Sequence, residues 1–193
     1  HRRLQGRKMN KNAKGLTLLE LLMVVAILAI LATVTLPSMS TLIAETRIRS
    51  GTMALAAMMK FARMQAVARN SRVTLCPSDD GTACGEANAW NRGVMVFEDM
   101  NDNRHLDGEE KLLGYREMNR NLRIFSGADP ASTARSRKRV VFSPAGSAAG
   151  YTISVKFCSP DARASPEVLI LQNSGRIRLS DRDGSGREPA CDS

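Results

Sequence analysis

Hydrophobic and polar positions divide the chain into three stretches of different period. From Leu16 to Leu36 the residues are apolar apart from scattered threonines and Glu20, which is the only charge between Lys14 and Glu45. As a helix rising about 1.5 Å per residue, such a run matches a hydrocarbon core of roughly 30 Å. Past Pro37 the sequence stays helical to about Asn70, with Met39, Ile43, Ser50, Met53, Ala57, Phe61, Met64 and Ala68 recurring at three- and four-residue steps. Only Gly51 interrupts, and no further proline occurs before Pro77. The pattern predicts one helix of about 55 residues, membranous in its first half and amphipathic in its second, with the Met and Phe stripe facing a sheet.

After Asn70 the period drops to two. Runs at 73–75, 94–97, 111–113, 122–125, 139–142, 151–155, 168–171 and 176–179 read as strands, separated by Gly, Asn, Asp and Ser clusters. A long helix followed only by antiparallel strands is an α+β pattern. The organisation expected is a leader over 1–15, a transmembrane and assembly helix over 16–37, an amphipathic half-helix over 38–70, and a β domain over 71–193.

Glu20 is the informative exception to this pattern. A carboxylate inside a membrane-length segment costs about 2.5–3.5 kcal/mol at mid-bilayer, so it needs a compensating role. A secretory signal peptide has a shorter apolar core followed by a small-residue cleavage site. Here the small residue, Gly15, precedes the run and follows a basic stretch. Arg2, Arg3, Arg7, Lys8, Lys11 and Lys14 supply six of the formal +9, so loss of residues 1–15, which hold no acid, leaves +3. That basicity belongs to membrane topology, since positive residues hold a leader in the cytoplasm. Met9 would open a seven-residue leader, and residues 1–8, read as an over-extended start or a fragment edge, are left out of the fold reasoning.

A basic leader, Gly15, Glu20 five residues on, and an apolar run ending at Pro37 together resemble the class III signal of type IV pilins and pseudopilins. The resemblance implies cutting between Gly15 and Leu16 by a prepilin peptidase and methylation of the new N-terminus at Leu16. It also implies an assembly role for Glu20 and a helix kink at Pro37. Leu16 stands where Phe is usual. The body resembles the GspH/FimT group of minor pilins and pseudopilins, through Leu75-Cys76-Pro77, Trp90 with Gly93-Val94-Met95-Val96-Phe97, Phe142-Ser143-Pro144-Ala145-Gly146 and Ser174-Gly175-Arg176-Ile177-Arg178. The implied fold is type IV pilin-like, a long helix packed on an antiparallel sheet. The implied partners are other pilins or pseudopilins in a helical filament, the prepilin peptidase and the inner membrane, with the C-terminal domain in the periplasm.

Chemistry-bearing residues are few. Beyond residue 15 the chain has one histidine, His105, and neither a phosphate-binding loop nor a dinucleotide fingerprint. No enzyme and no cofactor are expected. Cys76, Cys84, Cys158 and Cys191 allow three pairings. In an exported domain disulfides are the default, with Cys76–Cys84 closing a turn-rich loop and Cys158–Cys191 stapling the tail; a zinc site is the rival, but no C-x-x-C occurs. Asp99, Asn101, Asn103, Asp107 and Glu110 fall at the oxygen-ligand spacing of an EF-hand loop. Arg104 occupies the position of the turn glycine, and strand-like runs flank the segment, so a polar hairpin tip without metal is the expectation and calcium the alternative.

Gly175-Arg176-Ile177-Arg178 is the exposed candidate. On a strand the two arginines project to one face and Ile177 to the core, and guanidinium groups suit phosphate contact. Arg182 and Arg187 add charge nearby, with Lys156 and Arg163 from adjoining segments. In FimT-type minor pilins a G-R-x-R motif carries DNA binding during natural transformation, which implies that role for Gly175, Arg176 and Arg178, and Arg182 is counted with them as nearby positive charge. Alternating Arg and apolar residues also describes any half-exposed edge strand. The reading is a minor pilin that takes part in pilus assembly and binds duplex DNA without sequence preference; the alternative is a type II secretion minor pseudopilin with no DNA binding.

Overall fold

The computed structural model describes residues 17–85, 88, 90–127, 137–184, 186–189 and 191, with the backbone alone for 33–38. Among them a single helix precedes eight strands: α1 (Leu18–Arg69), β1 (Val73–Pro77), β2 (Gly93–Glu98), β3 (Leu112–Glu117), β4 (Arg123–Ser126), β5 (Val140–Phe142), β6 (Ile153–Cys158), β7 (Glu167–Leu171) and β8 (Ile177–Ser180). The chain divides into two compact units, His1–Met39 and Ser40–Ser193.

Side-chain chemistry sets both ends of α1. Thr17 caps the start, its hydroxyl accepting the Glu20 amide at 3.3 Å. At the other end Asn70 takes a left-handed conformation (φ 52°). The Ser71 amide then reaches the Ala66 carbonyl and the Asn70 amide the Val67 carbonyl, each at 3.3 Å. This is a Schellman stop, which satisfies carbonyls the helix would otherwise leave open. In the first unit every residue from 18 to 32 is exposed. Among the described residues no helix is long and apolar enough to cross a membrane; the apolar run of the sequence, 16–36, also takes in residue 16 and the side chains of 33–36, which lie outside them.

In the second unit α1 buries a different stripe from the one expected. Ala44, Ile48, Thr52, Leu55, Met59, Ala62 and Ala66 face the core. Met39, Ile43, Met53 and Met64 are 61, 47, 50 and 55% exposed, and only Phe61 of that set packs partly against the core. Both stripes repeat at helical spacing, so periodicity cannot choose between them. The sheet takes the one rich in small residues, where backbones approach closely. Gly51 lies on this side: a Cβ there would come within 2.8 Å of Leu122 Cδ1 and 3.5 Å of Phe157.

Eight strands form two four-stranded antiparallel sheets, ordered β3-β2-β1-β5 and β4-β6-β7-β8. Leu75, Val94, Val96 and Phe142 from the first sheet join Ile124, Val155, Phe157 and Leu169 from the second in one core with α1. Trp90 is fully buried there. The outer face of the first sheet carries a smaller cluster of Cys76, Met95 and Phe97. Cys84, bonded to Cys76, and Leu106 pack against it, while Cys158–Cys191 ties the tail to β6.

Candidate functional site

Glu20 stands in the first turn of α1, exposed among Leu18, Leu19, Leu21 and Leu22. A carboxylate at this position lies at the positive end of the helix dipole, where negative charge is favoured. Gly15 and Leu16 lie outside the described residues, and Pro37 falls within α1 with its side chain outside them.

The Gly175 motif sits where β7 turns into β8, the outermost strand of its sheet. The Gln172 amide bonds the Arg176 carbonyl at 2.9 Å, and the Gly175 amide bonds the Gln172 carbonyl at 2.8 Å. Gly175 has φ +76°, and a Cβ there would fall 2.1 Å from the Gly146 carbonyl oxygen. The glycine is thus required by backbone approach, whatever its neighbours do. Arg176 and Arg178 are exposed, and Ile177 is half-buried rather than buried. Among the described residues no carboxylate pairs with either arginine. Arg182 is exposed and donates to the Gly186 carbonyl at 3.2 Å.

Lys156 and Arg163 do not join this patch. Lys156 is 5% exposed and lies over the Phe125 ring, 6.0 Å from its centre. Arg163 pairs with Asp161 at 3.3 Å in a separate hollow beside Ala44 and Asn121. Their places are taken by two helix residues. Lys60 and Arg63 line a shallow groove with Arg176, and Lys60 lines a second with Arg178. Arg63 also donates from Nη1 to the Gly175 carbonyl at 3.1 Å, pinning the hairpin to α1. More than a hundred residues separate these side chains from the motif, so nothing in the chain beyond their three-residue spacing on one helix face pointed to them.

The Asp99–Glu110 segment forms the tip between β2 and β3, closed at its base by the Glu98 amide on the Lys111 carbonyl at 3.0 Å. Among the described residues no three Asp, Glu, His or Cys side chains stand together as a ready metal cluster.

Residues 51–187 match the family model of type II transport protein GspH, and residues 10–36 match that of the prokaryotic N-terminal methylation motif. No curated protein sequence matches the chain. Two crystal forms of the type IV minor pilin FimU from Pseudomonas aeruginosa are similar in structure. In the first the TM-score is 0.53 at 16% identity, over 73% of this chain and 95% of that one. In the second it is 0.50 at 16% identity, over 72% and 98%. The minor pseudopilin EpsH of the type 2 secretion system of Vibrio cholerae is more distant, with a TM-score of 0.44 at 10% identity over 69% and 96%. With its family match spanning well over half its length and a helix-then-sheets architecture shared with FimU, the chain belongs to the GspH family of minor pilins and pseudopilins.

Proposed function

We propose that the chain is a minor subunit of a type IV pilus. Before assembly, residues 16–37 hold it in the inner membrane with the β domain in the periplasm. A prepilin peptidase cuts between Gly15 and Leu16, Leu16 is N-methylated, and other pilins then take up the helix. The observation that carries processing and entry into a filament is the methylation-motif match over 10–36 together with an exposed apolar helix bearing Glu20 in its first turn; the two disulfides and the exposed arginines of Gly175-Arg176-Ile177-Arg178 favour the pilus. A carboxylate in that setting needs a cationic partner, and the amine freed at Leu16 of an adjacent subunit provides one. The second reading, a subunit of a type II secretion pseudopilus, draws on the GspH description of the family model. Both readings share the cut and the helix, and differ in the filament from which the chain is recovered.

A further role in capturing DNA is supported by two exposed arginines beside Lys60 and Arg63. The patch lacks aromatic side chains for stacking, so binding is to the phosphate backbone and indifferent to sequence. Each phosphate contact contributes about −0.9 to the slope of log K against log salt. Replacing both Arg176 and Arg178 by Gln should therefore flatten that slope by about two units, and adding Lys60→Gln by about one more. Gel-shift titrations of the domain from Ser40 onward at two salt concentrations measure this. Equal binding by wild type and double variant, or none by either, leaves the arginines as ordinary surface residues.

A further inference from the structure

Arg63 differs from the other three cations of the patch. Lys60, Arg176 and Arg178 are exposed, whereas Arg63 is half-buried on α1. Its Nη1 donates to the Gly175 carbonyl, and its Nε lies 3.1 Å from where a Cβ would stand at Gly175 and equally at Gly146. The guanidinium therefore crosses two tight turns at once, and a side chain on either glycine would be in its way. Both glycines are buried and left-handed, with φ of +76° and +74°. Among the described residues no carboxylate pairs with Arg63.

The two turns come from different parts of the chain and are stitched to each other through Asn173. The Ala148 amide donates to the Asn173 carbonyl at 2.9 Å, and the Gly150 amide and Thr152 hydroxyl donate to Asn173 Oδ1 at 3.2 and 2.6 Å. Arg63 carries this pair of turns to α1. β8 has a physical need for such an anchor. It is four residues long, and β7 is its one strand neighbour among the described residues. Elements with few partners open at low free-energy cost, and an opened β8 no longer holds Arg176 and Arg178 on one face.

We propose that Arg63 is the positioning residue of the cationic patch, holding the hairpin so that Arg176 and Arg178 stand ready beside Lys60, and that it does not itself grip phosphate. This rests on the DNA-capture reading and divides the labour within it. Residues that touch phosphate set the salt slope. A residue that pre-orders them changes affinity through the ordering cost that binding must meet, and leaves the slope alone. Lysine is no substitute, because an ammonium is a point charge without the planar fork that spans both turns.

Hydrogen exchange of the full chain in detergent, read by mass spectrometry, tests the anchor without DNA. Loss of one charge-assisted bond in Arg63→Gln should speed exchange over 143–150 and 171–178 about tenfold, while β2 exchanges as in the wild type. Arg63→Lys returns the charge without the fork and should not rescue it; if Arg63→Gln fails to fold, Arg63→Lys decides. Gel shifts of the same proteins with a mixed-sequence duplex at two salt concentrations give the second readout. Both Arg63 variants should bind about tenfold more weakly with the wild-type slope, whereas Lys60→Gln should flatten the slope by about one and leave exchange unchanged. Wild-type exchange in the Arg63 variants, unchanged affinity despite faster exchange, or a slope flattened as by Lys60→Gln overturns the proposal. If the wild type binds no duplex at either salt concentration while exchange rises in the Arg63 variants, the DNA reading fails and the anchoring of the hairpin by Arg63 stands.

Discussion

Substituting Gly175 by Ala places a methyl group where the hairpin has no room. Its Cβ would lie 2.1 Å from the Gly146 carbonyl oxygen, 3.3 Å from the Gly146 carbonyl carbon and 3.1 Å from Arg63 Nε. The first two are backbone atoms in a turn braced by the Ser143 amide on the Ser147 carbonyl and the Gly146 amide on the Ser143 carbonyl, each at 2.8 Å. The clash cannot be relieved by rotating a side chain. Left-handed backbone costs a residue other than glycine about 1–2 kcal/mol, and forcing packed atoms apart adds about 1–3 kcal/mol. The expected loss is therefore about 2–5 kcal/mol. For a domain of roughly 150 residues that lowers the melting temperature by about 4–20 °C. Gly150→Ala is the matched control, because Gly150 has φ +80° with nothing within 4 Å of its would-be Cβ; it should cost the backbone part alone, about 1–2 kcal/mol. Urea unfolding of the domain from Ser40 onward compares the two at equal m-value. A Gly175→Ala protein within about 0.5 kcal/mol of Gly150→Ala would refute the close-approach argument, which a clash of this size should exceed.

The disulfides should differ in weight. In the chain-entropy account, Cys158–Cys191, 33 residues apart, contributes about 3.7 kcal/mol and Cys76–Cys84, 8 apart, about 2.5. Denaturant unfolding of the paired Cys→Ser variants checks this, and the reverse order would contradict it. Two exposed carboxylates should titrate low. The backbone amide of Thr82, then its hydroxyl, holds Asp80 below its usual 3.8, and the Ser159 hydroxyl does the same for Asp161. Because the folded values lie below the unfolded one, each contributes stability that is present above about pH 3.8 and lost as pH falls through the folded value. NMR titration should find both midpoints depressed, with Thr82→Val raising that of Asp80 while Asp161 stays put.

Strands were legible because their signals are local. Each run of alternating residues became a strand whose first residue lies within two of the expected one, from Val73 to Ile177. The end of the helix was legible for the same reason, since Asn70 is where apolar periodicity stops and where the left-handed cap forms. The buried face of α1 was not. Ala44, Ile48, Leu55 and Ala62 compete with Met39, Ile43, Met53 and Met64 at the same spacing. Only the opposing surface, Leu122 and Phe157 against Gly51, decides between them. The charged patch failed for a related reason. Lys156 is near the motif in sequence but inside the second sheet, whereas Lys60 and Arg63 are distant in sequence and adjacent in space. The lone oxygen of Asp99 was also hidden, because sequence spacing says nothing about which buried polar atom the fold leaves unsatisfied.

Filaments sheared from cells carrying the wild type or Glu20→Ala, analysed by intact mass and peptide mapping, test the central claim most directly. The account predicts that the wild-type chain is recovered in the filament fraction, beginning at Leu16 with one N-methyl group. Glu20→Ala should stay in the membrane and be missing from the filaments, since its helix no longer offers the carboxylate that pairs with a neighbouring amine. A filament chain that keeps residues before Leu16, or Glu20→Ala incorporated at the wild-type level, would contradict the account.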